Sequence, residues 1–128
     1  MKTIIFTLCD YAQNVSGKIT IVGTFNQICS DTFPFVYKAN ISFVAKLVSE
    51  KEILGTIECR IVDPFGNDIT PIVKTSIEPA PKDSKTSTLD IVVNWNNLQF
   101  NIPGKYTVIL SINDYFKETS ELLIVENK

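Results

Sequence analysis

The sequence contains no histidine, and that absence removes more chemistry than any other feature. Serine–histidine–aspartate and cysteine–histidine relays, the common zinc sites and the imidazole general base all need a residue the chain does not carry. Long apolar runs are missing as well, since no stretch approaches the roughly 18 residues of a spanning helix. Charge is sparse and balanced, with 12 lysines and arginines against 14 aspartates and glutamates for a net −2. The lysines are scattered, which leaves no electrostatic footprint for a phosphate backbone. Neither nucleic acid nor a membrane is an expected partner. The glycine-rich phosphate cradle G-x-x-x-x-G-K-[ST] is absent too.

Cysteine is scarce. Cys9, Cys29 and Cys59 are three in number, so they cannot all pair within one chain, and their spacing matches neither a zinc site nor a redox C-x-x-C. All three are expected to be reduced thiols that behave as small apolar side chains in or beside strands. The sequons at Asn14 and Asn40 are then chance matches.

What is present is alternation. The opening MKTIIFTLCD has an apolar core broken by Thr7 and closed by Asp10, shorter than the about 7–15 residues of an export signal, and no small-residue cleavage site follows. It reads as a strand, with Ile4, Phe6 and Leu8 on one side and Thr3, Ile5 and Thr7 on the other. The chain is accordingly expected in the cytoplasm. Period-two runs recur at Ile19–Val22, Ile41–Val48, Ile57–Ile61, Leu89–Trp95 and Tyr106–Ile112, as half-buried strands require. In that pattern Val44, Val48, Val92 and Ile109 fall on the outward side. Trp95 continues the inward face of Leu89, Ile91 and Val93, although an exposed Trp95 would make a stacking platform for a sugar.

Turn chemistry separates these runs. Asp63-Pro64-Phe65-Gly66-Asn67-Asp68 is read as a reversal rather than a calcium loop, because it offers too few oxygens for that ion. The stretch from Glu78 to Lys85 is read as a surface crossover, Ser49–Ile53 as a hairpin tip or a single helical turn, and Cys9–Asn14 as a loop. At 45% hydrophobic and 20% charged over 128 residues, the composition suits one packed domain, 1–128. The expected fold is all-β, an antiparallel immunoglobulin-like β-sandwich of about 7–9 strands. Pro103-Gly104-Lys105-Tyr106 supports it, because a turn there delivers a tyrosine to the head of a strong strand, as in the tyrosine corner of such sandwiches. The antibody-type pair of cysteines around Trp95 is absent.

Several pieces in order are similar to an uncharacterised bacterial family. They are Cys9-Asp10-Tyr11-Ala12, then Gly17-Lys18-Ile19-Thr20-Ile21-Val22-Gly23-Thr24-Phe25, then Phe33-Pro34, the turn from Asp63 to Asn67, and Leu98-Gln99-Phe100 followed by Pro103-Gly104-Lys105-Tyr106. The resemblance spans nearly the whole chain. It implies a bacterial β-sandwich of unknown function and supplies no catalytic residues.

The functional expectation is a non-catalytic binding or assembly module, acting through contacts with a protein partner or by self-association. The alternative is a small-ligand or carbohydrate-binding sandwich. No catalytic residue, cofactor or metal ligand is expected. The candidate contact residues are Asp10 and Tyr11 in one polar segment, and Tyr115 and Phe116 at the tip of a hairpin, since aromatics concentrate at interfaces. Phe33 and Phe35, flanking Pro34, are either a second contact point or a lid on the core.

Overall fold

The computed structural model describes residues 1–51, 53–77 and 87–127. These residues form eleven strands and no helix: β1 (Lys2–Val15), β2 (Lys18–Phe25), β3 (Gln27–Ser30), β4 (Phe35–Tyr37), β5 (Ile41–Ser49), β6 (Gly55–Val62), β7 (Val73–Ile77), β8 (Ser87–Trp95), β9 (Leu98–Phe100), β10 (Gly104–Ile112) and β11 (Phe116–Glu126). The fold is all-β. The count exceeds the seven to nine expected because β3, β4 and β9 are only three or four residues long, too short for alternation to register. The crossover expected at Glu78–Lys85 lies outside the described residues.

Three sheets result. A four-stranded sheet runs β2-β1-β5-β8, a five-stranded sheet runs β3-β11-β10-β6-β7, and β4 pairs with β9 alone. All pairings are antiparallel except β3 with β11. The alternation dictates the core. Ile41, Phe43, Ala45 and Leu47 of β5 meet Cys59 and Ile61 of β6 and Tyr106, Val108, Leu110 and Ile112 of β10 in one cluster, so both larger sheets drain into the same interior. Trp95 belongs to that cluster and is 6% exposed, which makes it core and not a platform. Phe33 and Phe35 also pack against the core, with Phe35 stacked on Phe100 at 5.4 Å and Phe33 edge-on to Phe35 at 5.3 Å. They act as the lid of the two roles open to them.

Four expectations need correction. A register shift between Thr3 and Ile5 puts Ile4 in solvent while Phe6 and Leu8 stay inward, because the extra residue of a bulge flips the side that follows. Ser49–Ile53 forms no helical turn among its described residues and is no hairpin tip, because it leads from β5 in the four-stranded sheet to β6 in the five-stranded one. Cys29 is exposed, unlike buried Cys9 and Cys59, since it sits on the short edge strand β3. Cys9–Asn14 is no loop but the second half of β1, which pairs with β2 in one register from Leu8↔Phe25 to Val15↔Lys18, interrupted only at Asp10.

Candidate functional site

That second half of β1 and its partner β2 make an arm. Its tip is the two-residue turn Ser16-Gly17, both with left-handed backbone at φ 52° and 81°, the arrangement whose twist matches flanking strands. Asn14 Oδ1 accepts the Gly17 N–H at 3.1 Å. Lower down, Gly23 sits opposite Asp10 with φ 68°, and a side chain there would collide with the Asp10 carboxylate. Only glycine suits both the angle and the approach.

The arm bends over the outer face of the four-stranded sheet. Cys9 and Ala12 lie an odd number of residues apart, so a flat strand would aim them at opposite sides. Both nevertheless enter one small cluster with Val44, joined by half-buried Ile5, Ile19, Ile21 and Val92, and β1 comes close to β8 across the intervening β5. Val44, expected to face outward for a partner, is 0% exposed because the chain's own arm covers it. Val92 is partly covered by the same cluster, whereas Val48 of β5 and Ile109 of β10 lie outside it and stay half-buried.

A polar tether holds the bend. Asn40 Nδ2 donates to the Asp10 carbonyl at 2.9 Å and to Ser42 Oγ at 2.8 Å. Ser42 Oγ in turn donates to Asn94 Oδ1 on β8. Ser42 is fully buried, so its hydroxyl must be satisfied within the protein. Ser42→Ala is expected to cost about 1–3 kcal/mol. Amide exchange should accelerate over Tyr11–Ile21 more than over β10; equal acceleration in both would show that the tether does not act on the arm.

The bend leaves one face of the arm in water. Tyr11 pairs with Val22 and Val15 with Lys18, and Tyr11, Val15 and Val22 are 48%, 55% and 53% exposed. Tyr11 and Val22 thus lie side by side on one face of the hairpin, and Val15 stands on the same face nearer the tip, beyond the Gln13–Thr20 pair. The Tyr11 hydroxyl donates to Gln13 Oε1 at 2.6 Å, which steadies the ring along the strand. Val15 and Val22 were not singled out from sequence; the available signal was Val22 standing on the polar side of the Ile19–Val22 alternation.

Asp10 points the other way. Its side chain lines a shallow depression of about 340 Å³ with Gly23, Gln27, Cys29 and Tyr37. The Cys29 sulfur accepts from Gln27 Nε2 at 3.5 Å. Cys9, the chain neighbour of Asp10, is not poised for attack, because burial, and secondarily the charge of Asp10, pushes its thiol upward. The thiol donates to the Tyr11 carbonyl at 3.4 Å.

Tyr115 and Phe116 belong elsewhere. The loop Asn113–Tyr115 joins β10 to β11, with Ile112 opposite Phe116. The Tyr115 hydroxyl donates to the Leu54 carbonyl at 2.6 Å, while Asn113 Oδ1 accepts the Thr56 N–H at 2.9 Å. Phe116 is half-buried against the core, so only Tyr115, at 56% exposure, presents a surface. Cys9 faces Ser42 at the start of β5, whereas Leu54 lies just past its end, a run of nine residues or about 30 Å. The two candidate pairs therefore occupy opposite ends of the molecule and do not form one site.

The Asp63 segment is the turn expected. Asp63 Oδ1 accepts the N–H groups of Phe65 and Asn67, each at 2.9 Å, and these hold its carboxyl below the usual range. Asp68 faces Arg60 at 3.7 Å.

No curated protein matches the chain. A model of a family of unknown function (DUF6941) matches residues 4–125, and the chain belongs to that family.

Proposed function

We propose that the chain is a non-catalytic binding module, one immunoglobulin-like β-sandwich domain over residues 1–128, which holds a protein partner on the outer face of its β1–β2 arm in the bacterial cytoplasm. The observation that carries the reading is exposed Tyr11 beside exposed Val22, with Val15 further along the same face, on a hairpin that is itself anchored by a buried cluster and a polar tether. A rigidly held aromatic with apolar neighbours loses little entropy on docking, which is what contact residues need. A protein suits such a face better than a nucleic acid or a membrane, because the chain carries a net −2 and the face has one cation, Lys18.

The sandwich assignment draws support from two sheets over one interior and from Tyr106, whose hydroxyl donates to the Ile102 carbonyl four residues upstream at 2.8 Å, as in a tyrosine corner. The non-catalytic part rests on the thiols. Burial pushes Cys9 and Cys59 away from the thiolate form, and no imidazole is available to deprotonate them. Three free cysteines, two of them buried, suit a reducing compartment.

Affinity capture from a bacterial host with the intact chain tests the reading. Tyr11→Ala is expected to weaken retention of the partner about tenfold or more, with Tyr115→Ala equal to the parent. Capture that follows Tyr115 and ignores Tyr11 would move the contact surface to the other end of the molecule.

A further inference from the structure

We infer that the free edge of β2 pairs antiparallel with the β2 edge of a second copy of this chain, joining two four-stranded sheets into one of eight strands. The inference rests on the binding-module reading and names one partner for the same arm. Sheet edges are templates for strand addition unless they are short, charged or covered. Among the described residues four strands end the two larger sheets, namely β2, β8, β3 and β7. β3 has four residues, β7 carries Lys74 second among its five, and β8 carries Asp90 fourth among its nine. β2 has eight residues, is rich in β-branched side chains and has its sole charge, Lys18, at its first position.

The second copy is the occupant that this charge pattern fits. With Ile21 on a twofold axis, Thr20 of one copy faces Val22 of the other, so the outward side chains between Lys18 and the bend at Gly23 meet outward ones. Cross-strand pairs of β-branched residues favour a ladder. The two Lys18 ammonium groups then sit at opposite ends, about 20 Å apart, beyond the Debye length of about 8–10 Å. Nothing on the strand repels its own copy. The axis passes through the sheet, so both Tyr11 faces end on the same side and the dimer presents the contact surface twice. One strand edge covers less than the roughly 800 Å² per partner of a standard interface, so the dimer exchanges quickly and forms at high concentration.

Sedimentation equilibrium of the full chain over roughly 1 µM to 1 mM is the test. The parent is expected to shift from monomer toward dimer. Thr20→Lys brings like charges together across the axis and is expected to weaken self-association about tenfold or more, while Phe65→Lys, an exposed site on another turn, leaves it unchanged. Far-ultraviolet dichroism of Thr20→Lys should match the parent, and Val22→Lys supplies a second variant if it does not. A strict monomer throughout, a dimer indifferent to both β2 variants, or one equally sensitive to Phe65→Lys overturns the inference. A monomer that still captures a protein through Tyr11 overturns the pairing and leaves the binding reading standing; a monomer that captures nothing sinks both.

Discussion

Tyr106→Ala is expected to lower the unfolding free energy by about 3–5 kcal/mol, and Tyr106→Phe by about 1–2 kcal/mol. The gap separates the ring from its hydroxyl. The ring is completely buried and meets Phe100 edge-on at 5.2 Å, and Phe100 in turn stacks on Phe35. Truncation therefore empties a ring-sized space that three elements share, and the neighbours can collapse into it only by giving up their own contacts. Phenylalanine keeps that packing and leaves the Ile102 carbonyl without its donor at 2.8 Å. Urea unfolding checks both values, with an unchanged denaturant slope as the sign that the variants still unfold from the same compact state. Tyr106→Phe as stable as the parent would mean that the corner bond contributes nothing. Tyr106→Phe as damaged as Tyr106→Ala would mean that the ring is not what the core needs.

This tyrosine is legible in the sequence, because a turn followed by alternation is a local signal. The same holds for β5, β6, β8 and β10, whose apolar residues repeat every second position and bury as read. The arm was not legible. Asp10-Tyr11-Ala12-Gln13-Asn14 has no apolar repeat, since its buried face needs only the methyl of Ala12, and its strand character comes from β2. Val44 fails for the same reason in reverse. Its outward position was right, yet a chain segment some thirty residues earlier returns to cover it, and no local pattern encodes a bend set by Gly23 and by the Asn40–Ser42–Asn94 tether. The candidate site divides along that line: Tyr11 was visible as an aromatic in a polar segment, while Val22 became its neighbour, and Val15 joined the same face, only through the register. The parallel pairing of β3 with β11 joins Ile28 to Ile124, a separation that period-two reading cannot reach.

Alkaline stability offers the second large effect. Cys59 lies in β6 opposite Leu110 of β10 and is 1% exposed, so a thiolate there would be stripped of its water. Burial alone pushes its thiol from 9.0 up to about 12. The unfolded chain releases this proton near pH 9 and the folded chain keeps it, so the folded state binds more protons throughout that interval. Stability accordingly falls as pH rises from about 9, by about 1.4 kcal/mol per unit and about 4 kcal/mol by pH 12. Below pH 9 both states are protonated and the thiol contributes its packing alone. Cys9 shifts in the same direction through burial and the neighbouring Asp10, and Tyr106, also raised chiefly by burial, adds to the slope above about pH 10. Cys59→Ala is expected to cost stability at pH 7 through the lost sulfur contacts and yet to flatten the decline between pH 9 and 11 by about 1.4 kcal/mol per unit. The two effects have opposite signs at the two ends of the range, so unfolding curves of parent and variant converge and then cross in strong alkali. Parallel curves would place the alkaline sensitivity elsewhere and would mean that water reaches the space between β6 and β10, against the complete burial of Ile61, Leu110 and Phe43 around it.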